Sequence, residues 1–410
     1  MTHLRKSGAV SSTVLFAGSQ LLFVAVSTAM LWRGAPAPVD SLPPWTVRPH
    51  QVTLAYDLPE AITDDQLLEV LHALRPRLNH PQPKINHVDH ALRFWGPTAT
   101  FTDPACLSGA EMFRILADQK TFHERWGTAE PAFIRWGEFG PEFRTGEGSA
   151  SASHVDHTLG TWSEIGAPLD QTIRFAVAAD EAGSDGQTTL REMLSAALRG
   201  FRVNQLEYEW TTVAAASYAT GPTFFLSQDG ERVTFDLLAE RLMRQGFNEG
   251  VCFGNHRLYS LALLLQFDEQ VGLFQESATR DAVTQHLSEA TARLVNSQAE
   301  DGSWDKNWPD PSLPVADDLQ LSPQARRLLA TGHALEWWAI APAEVHPPRE
   351  TIIRAAQFLV HEVRGMEPAT IDDNYTFLTH VGRALSLWRG KFPHQLCDQI
   401  NQRYPAAATP

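Results

Sequence analysis

Basic side chains and cysteines are both scarce in this chain of 410 residues. Lys and Arg total 33 against 48 Asp and Glu, the formal net charge is -15, and no long basic run follows the amino terminus. We therefore expect no nucleic-acid partner and no polybasic membrane-binding surface. The three cysteines, Cys106, Cys252 and Cys397, are too few for a disulfide scaffold, and their odd number leaves at least one thiol unpaired.

Strand patterns are also sparse, since only Val52 to Tyr56 and Thr223 to Leu226 have a suitable composition. Helical periodicity runs through the chain instead, and more apolar segments alternate with amphipathic ones. Amphipathic helices are predicted at Asp64 to Leu74, Leu107 to Ala117, Leu190 to Leu198, Phe235 to Met243, Ala282 to Val295 and Thr351 to Val363. The sequence therefore predicts an all-α fold.

The phrase His-x-Leu-x-x-(Trp/Leu) occurs four times, at His90, His157, His256 and His333, each time in a segment with the pattern of a buried helix. A weaker fifth copy begins at His380. The tetrapeptide His-Val-Asp-His precedes two of the copies, at residues 87–90 and 154–157. A phrase that recurs at the same place in successive units indicates an internally repeated fold.

Alternation of apolar and amphipathic helices has a simple structural solution. An apolar helix must be covered nearly all round, whereas an amphipathic helix needs only one covered face. An inner ring of apolar helices inside an outer ring of amphipathic ones satisfies both requirements. We therefore predict an α/α toroid of about six inner and outer helix pairs, with the histidines at the starts of the inner helices, around one mouth.

The amino terminus has a different character. His3, Arg5 and Lys6 precede an apolar stretch from about Gly8 to Trp32 that is long enough to span a bilayer. We predict an uncleaved single-pass membrane anchor with the main domain extracytoplasmic. A cleaved signal peptide ending near Ala37 is the alternative. The predicted organisation is an anchor at 1–34, a Pro-rich spacer at 35–50, one toroid domain at 51–400 and a disordered tail at 401–410.

The segment from Gln298 to Trp304, with Asp301, Gly302 and Ser303 between them, resembles the Gln-Trp repeat of squalene-hopene cyclases and protein prenyltransferase β subunits. The resemblance implies an α/α toroid in which the Gln ties an outer helix to the next turn and the Trp packs against the next unit. It implies less about the reaction. The Asp-x-Asp-Asp motif of the cyclases is reduced to Asp-Asp pairs at 317–318 and 372–373, and Gly250 replaces the Asp of the prenyltransferase Asp-x-Cys motif.

Three residues form a candidate metal site. Cys252 and His256 are four residues apart and share one helical face, and His333 from a neighbouring helix could complete a zinc site with an open position for water or substrate. Two alternatives remain open. Cys252 and His256 could be buried core residues, or they could form a thiol nucleophile with its imidazole base.

Carboxylates beside histidines are the other catalytic candidates. His333 with Glu336 is the first pair for general acid or base chemistry, and Asp156 with His157 is the second. Asp156 could instead cap its helix. The candidate substrate contacts are His90, Trp162, Trp210, Trp337 and Asp373. Large aromatic residues on inner helices are equally explained as core packing.

Three classes of function follow from these residues. The first is a terpenoid-cyclase-like enzyme with an apolar cavity, and the second is a carbohydrate-active hydrolase or lyase with paired carboxylates. The third is a non-catalytic toroid that binds a ligand or protein partner. No catalytic motif is complete, so the sequence leaves enzymatic activity undecided. A small molecule or glycan is the expected ligand, and zinc is the one cofactor that the residues indicate.

Overall fold

Helices dominate the part of the chain that the structure describes, as the all-α prediction requires. The computed structural model describes residues 42–176, 185–312 and 321–405. We number its helices in chain order: α1 Asp64–Ala73, α2 Ile85–Trp95, α3 Gly109–Ala117, α4 Gln119–Trp126, α5 His157–Glu164, α6 Leu190–Arg199, α7 Glu209–Tyr218, α8 Phe235–Arg244, α9 Asn255–Val271, α10 Ser277–Ser297, α11 Pro323–Ile340, α12 Arg349–Arg364, α13 Pro368–Asp373, α14 Tyr375–Leu387 and α15 Cys397–Arg403.

Local capping explains where several of these helices begin. In α1 the Thr63 hydroxyl accepts from the Gln66 amide at 3.2 Å, and the Gln66 side chain accepts from the Thr63 amide at 3.0 Å. The same reciprocal arrangement begins α3 at Ser108 and α6 at Thr189. Each such cap contributes about 1 kcal/mol. All six predicted amphipathic helices are present. The largest difference from the predicted bounds is in α10, which begins at Ser277 rather than at Ala282.

Three antiparallel hairpins complete the described secondary structure. They pair β1 Ile134–Gly137 with β2 Gly140–Phe143, β3 Thr172–Ala176 with β4 Asp185–Thr189, and β5 Phe224–Leu226 with β6 Arg232–Thr234. The predicted strand at Thr223 to Leu226 is present as β5. The other predicted strand, Val52 to Tyr56, is extended chain without strand partners. The hairpins are too short to form a layer of their own.

The six helices with the most apolar surroundings pack in chain order. Helix α2 packs against α5, α5 against α7, α7 against α9, α9 against α11 and α11 against α14, and α14 packs in turn against α2. Amphipathic helices lie against this set: α3 on α2, α6 on α7, α8 on α7 and α9, α10 on α9, and α12 on α11. Helix α1 contacts both α12 and α14. Every copy of the histidine phrase belongs to the first set.

Glycine permits the closest of these packings, between α11 and α14. A Cβ atom added at Gly332 would lie 2.8 Å from Val381 Cγ2 and 3.3 Å from the Val381 backbone nitrogen. On the facing helix, a Cβ at Gly382 would overlap the ring of Phe94. A methyl group at Gly332 would therefore push two backbones apart.

We expect Gly332→Ala to destabilise the chain by about 1–3 kcal/mol, because overpacking outweighs the better helix propensity of alanine. Urea unfolding followed by circular dichroism measures the change. Gly365→Ala is the matched control, since the nearest atom to its added Cβ is 3.6 Å away. Equal stability of the two variants would contradict this account of the α11–α14 contact.

The segment that resembles a Gln-Trp repeat connects three elements. The Gln298 amide at the end of α10 donates to the Gly302 carbonyl at 3.0 Å and to the Thr351 carbonyl of α12 at 2.9 Å. The Trp304 indole donates to the Leu294 carbonyl at 2.8 Å, and its ring meets Trp338 of α11 at a centroid distance of 5.6 Å. Gln298 and Trp304 thus fix α10 to α11 and α12.

The predicted anchor, spacer and tail agree with the described residues to different extents. The membrane anchor expected at 1–34 lies outside the described residues. In the described part, no helix combines the length and the apolar character that crossing a bilayer needs. Thr46 donates its amide to the Tyr218 carbonyl at 2.9 Å, so the second half of the predicted spacer packs on the helices. Helix α15 continues to Arg403, which makes the first three residues of the predicted disordered tail helical.

Candidate functional site

Six histidines from widely separated parts of the chain lie together among the apolar helices: His90, His154, His157, His256, His333 and His380. The rings of His333 and His380 stack with centroids 3.9 Å apart, and those of His90 and His157 stack at 4.2 Å. His256 connects the groups, at 5.0 Å from His333 and 5.4 Å from His154. Convergence of the histidines is therefore a property of the fold.

The prediction that each histidine begins its helix is wrong for three of them. His157 and His256 do lie at helix starts, but His90 and His380 are the sixth residues of α2 and α14, and His333 is the eleventh of α11. Helix α11 is longer because Ser322 caps it and Pro323 occupies its first position. The rings meet because these helices pack against one another, whatever the position of the histidine within its helix.

Hydrogen bonds determine which ring nitrogen of His333 and His380 is left to bind a ligand. The Nδ1 atom of His333 lies 2.8 Å from the Leu329 carbonyl, and Nδ1 of His380 lies 2.7 Å from Glu336 Oε2. Both partners are acceptors. Arg93 Nη1 also lies 3.3 Å from His380 Nδ1, but the Glu336 oxygen is closer, so we assign a proton to each Nδ1, which leaves each Nε2 with a free lone pair. His256 Nε2 lies 3.1 Å from His333 Nε2. The potential ligand atoms of His256, His333 and His380 all lie within 4.8 Å of one another.

These three histidines are uncharged at neutral pH. Their exposed fractions are 2 to 3%. Burial lowers the pKa of His333 to about 4, and burial together with neighbouring histidines holds the pKa values of His256 and His380 well below the ordinary value. A neutral imidazole is the form that binds metal ions.

A buried ionic layer lies one helical turn from the histidines. It contains Arg93, Tyr259, Glu336 and Arg383, each three residues after a histidine of the cluster, together with Glu164. Arg383 donates to Glu336 at 2.7 Å and to Glu164 at 3.0 Å, and Arg93 lies 3.0 Å from Glu336. Arg93 and Tyr259 also donate to Glu164. Two arginines thus balance two glutamates.

The ionic layer gives Glu336 a different character from that of a general acid. Burial favours its neutral form, but Arg93 and Arg383 outweigh burial and hold the pKa of Glu336 below its usual value. The same balance of burial against Arg93 and Arg383 lowers the pKa of Glu164. An ionised Glu336 accepts a hydrogen bond from the Nδ1–H of His380 and so orients that ring. Carboxylates behind histidines have this role in metal sites.

The Nδ1 atoms of His157 and His90 are also bonded to acceptors. His157 Nδ1 lies 2.7 Å from Asp89 Oδ2, which also accepts from Thr158 at 2.8 Å, and His90 Nδ1 lies 2.8 Å from the Asn86 carbonyl. His157 Nε2 is buried without a hydrogen-bond partner. Although the two His-Val-Asp-His tetrapeptides are identical, the first lies inside α2 and the second leads into α5.

Cys252 approaches His256 through a strained turn. Cys252 and Phe253 have φ values of 51° and 56°, a region that non-glycine residues rarely adopt. Arg257 holds the preceding loop by donating to the carbonyls of Leu242 at 3.0 Å and Glu249 at 2.6 Å. The potential ligand atoms of His154, Cys252 and His256 lie within 4.8 Å of one another. The structure thus groups Cys252 with His154, and groups His333 with His380.

Asp156 does not cap its helix. It occupies the N-cap position of α5 with a φ of 56°, but its side chain makes no capping bond and instead accepts from the Thr211 hydroxyl. It lines a cavity of about 370 Å³ between α6 and the β1–β2 hairpin. Burial raises the pKa of Asp156 to about 6. Its carboxyl therefore changes charge near neutral pH.

We expect Asp156→Asn to raise the free energy of unfolding at pH 8 but not at pH 4. The folded pKa of about 6 exceeds the ordinary 3.8, so folding favours the protonated acid, and stability falls as the pH rises between these values. The expected difference is roughly 3 kcal/mol. Urea unfolding at both pH values measures it, with the exposed Asp229→Asn as control. A gain of equal size at both pH values would sink this explanation.

The predicted substrate contacts separate into two groups. Trp210 and His90 lie in the cluster, with the Trp210 ring 4.6 Å from that of His157 and 4.9 Å from the Arg93 guanidinium. Trp162 instead stacks on Phe113 at 4.7 Å, and Trp337 packs on Trp338 at 5.1 Å. Asp373 is exposed at the end of α13. Trp162 and Trp337 thus have the contacts of core residues.

Arg93, Arg383, Glu164 and Tyr259 were not among the predicted site residues. The sequence does contain a signal for two of them, because His90-Ala-Leu-Arg93 and His380-Val-Gly-Arg383 share the spacing His-x-x-Arg. Residues three apart lie on the same face of a helix, so an arginine there reaches the same interior as the histidine.

Neither a family model, nor a curated protein, nor a solved structure matches this chain. The arrangement of its own side chains is therefore the evidence for its function.

Proposed function

We propose that this chain is an α/α toroid enzyme whose central histidines, His256, His333 and His380, bind a catalytic zinc ion. The observation that carries the proposal is the convergence of three buried, neutral imidazoles from three helices, within 4.8 Å of one another. In His333 and His380 Nδ1 is bonded to an acceptor, so Nε2 is the nitrogen left to bind a metal ion.

The order of helix packing supports the toroid. Six helices that pack in chain order, with the sixth against the first, are what an inner ring requires, and amphipathic helices cover them. The contacts of Gln298 and Trp304 agree with those that the cyclase and prenyltransferase resemblance implies. In this arrangement the histidine cluster and the ionic layer occupy successive levels of the ring interior.

The nitrogen spacing supports a zinc ion. Zinc binds imidazole nitrogen at about 2.0–2.1 Å in tetrahedral geometry, which places ligand nitrogens about 3.3 Å apart. The distance between His256 Nε2 and His333 Nε2 is 3.1 Å. Three protein ligands leave the fourth position for water, whose pKa zinc lowers to about 7. A zinc ion held by these histidines would therefore supply the chemistry for hydrolysis or hydration of a small polar substrate.

The charged interior favours this function over the two other enzyme classes. A terpenoid cyclase needs an apolar, aromatic cavity, whereas this centre contains six histidines and two arginine–glutamate pairs. A glycosidase needs one protonated carboxylic acid. Burial opposes ionisation of Glu164 and Glu336, but the arginines lower the pKa of both, so neither carboxyl of the ionic layer is such an acid. Asp156, whose pKa burial raises to about 6, lines the cavity against α6 and is not part of that layer.

The test is the zinc content of the full chain, purified without chelators or affinity-tag metal. At least one zinc ion per chain is expected, and His333→Ala and His380→Ala should each remove it. His87→Ala is the matched control, because His87 is buried on α2 but does not belong to the cluster. Melting temperatures establish that each variant folds. Folded wild-type protein without zinc would favour a binding scaffold instead.

We also propose that residues 1–34 anchor the protein in a membrane with the main domain extracytoplasmic. The support is the basic amino terminus followed by a predominantly apolar stretch of about 25 residues. After alkaline carbonate extraction of cells that produce the full chain, the protein should remain in the membrane pellet. Its complete release into the supernatant would refute the anchor.

A further inference from the structure

His256 has a second nitrogen that the proposed zinc site does not use. Its Nε2 atom faces His333, while its Nδ1 atom is buried and has no hydrogen-bond partner. A buried polar atom without a partner is costly, by about 1–3 kcal/mol, and calls for a specific explanation.

Comparison with the other histidines explains why this nitrogen lacks a partner. In His90 and His333, Nδ1 bonds to the carbonyl four residues earlier, at Asn86 and Leu329. The residue four positions before His256 is Cys252, which lies outside α9. The Cys252 carbonyl already accepts from the Asn255 side chain at 3.0 Å. The backbone at this position therefore leaves His256 Nδ1 without the acceptor that His90 and His333 have, while the Cys252 thiol lies within 4.8 Å of a potential ligand nitrogen of His256.

The turn that carries Cys252 is built to hold this position. Two consecutive non-glycine residues, Cys252 and Phe253, adopt left-handed backbone conformations, and Gly254 follows with a φ of 78°. A Cβ atom at Gly254 would overlap the Phe247 carbonyl, so glycine is required there. The Trp308 indole donates to the Phe253 carbonyl at 3.0 Å and pins the turn. Strain of this kind persists where the surrounding structure enforces it.

His154 completes a set of three donors. Its ring meets that of His256 edge-on at a centroid distance of 5.4 Å. Its Nδ1 atom lies 3.6 Å from Glu207 Oε2, and the Glu207 carboxylate also accepts from the Val155 amide at 3.0 Å. The Glu207 carboxylate thus lies near His154 but beyond hydrogen-bond distance, and His154 Nδ1 is a second buried nitrogen without a hydrogen-bond partner.

We propose that His154, Cys252 and His256 Nδ1 form a second metal site, so that His256 bridges two ions as an imidazolate. The inference rests on the proposed function, because the bridge requires the first ion at His256 Nε2. One thiolate and two imidazoles suit a thiophilic divalent ion, and we assign zinc. Binding forms a metal–sulfur and a metal–nitrogen bond at Cys252 and His256, and releases the thiol proton and the remaining imidazole proton to solvent.

Cobalt substitution of the full-length protein tests the second site. A cobalt–thiolate bond gives a near-ultraviolet charge-transfer absorption that imidazole ligands do not give. We expect two ions per chain and this absorption in the wild type. Cys252→Ser and His154→Ala should each remove one ion and the absorption, whereas His380→Ala should remove the other ion and leave the absorption. Cys106→Ser and Cys397→Ser are the matched controls, since both thiols are buried elsewhere.

The outcomes separate the two proposals. One ion per chain, retained in Cys252→Ser and without thiolate absorption, would overturn the second site and leave the first. One ion that Cys252→Ser removes and His380→Ala retains would uphold the second site, while the proposed zinc site and the bridge would both fall. A folded wild-type chain that binds neither zinc nor cobalt would overturn both sites. His256→Ala should lose both ions, because both sites share that ring.

Discussion

Arg383→Met is expected to destabilise the folded chain by about 3–5 kcal/mol. Arg383 is 4% exposed and donates to Glu336 at 2.7 Å and to Glu164 at 3.0 Å. Methionine fills a similar volume but cannot donate, so two buried carboxylates would keep Arg93 as their only cationic partner. Uncompensated buried charge is the reason for so large an effect.

Urea unfolding of the wild type and the variant measures this loss. The control is Arg244→Met, because Arg244 pairs with Glu240 one turn away on the surface of α8 and both side chains are more than half exposed. An exposed pair of this kind contributes about 0.3–0.5 kcal/mol. If Arg383→Met lost no more stability than Arg244→Met, the ionic layer would not stabilise the centre.

Glu336→Gln is expected to weaken zinc binding by 10- to 100-fold. The substitution keeps the shape of the side chain but removes the negative charge that accepts the His380 Nδ1 proton at 2.7 Å. A neutral amide oxygen accepts this hydrogen bond more weakly than a carboxylate does, so the His380 ring would lose part of its basicity at Nε2. The dissociation constant from competition with a chromophoric chelator measures the effect.

Glu164→Gln separates the effect on binding from the effect on stability. Glu164 contacts the same two arginines but none of the three histidines of the proposed zinc site. Both variants should lose stability, whereas Glu336→Gln alone should weaken zinc binding by tenfold or more. Equal zinc affinities in the two variants would contradict the role assigned to Glu336.

Local features of the fold could be predicted from the sequence. A helix start can be predicted at Thr63 with Gln66 and at Thr189 with Glu192, because both partners of the capping bonds lie within four residues of each other. Strand β2 escaped prediction, because Gly140-Pro-Glu-Phe143 contains no β-branched residue. Packing and turn geometry override propensity there.

The histidine cluster was predictable only in part. The repeated phrase identified His90, His157, His256 and His333, which all lie in it, but His380 has Gly382 in place of the leucine and so matched poorly. That glycine permits close packing of α14 on α2. The sequence also predicted the wrong partner for His333. Spacing along the chain placed Cys252 with His333, whereas the contact between α11 and α14 brings His333 next to His380. Contacts between distant helices have no signature in local spacing.

Anomalous X-ray scattering at the zinc absorption edge, from crystals of the full chain, tests the central claim most directly. The account predicts a peak about 2.0–2.1 Å from one nitrogen of each of His256, His333 and His380. A map without a peak there, with His256 Nε2 and His333 Nε2 still 3.1 Å apart in direct hydrogen-bond contact, would contradict it.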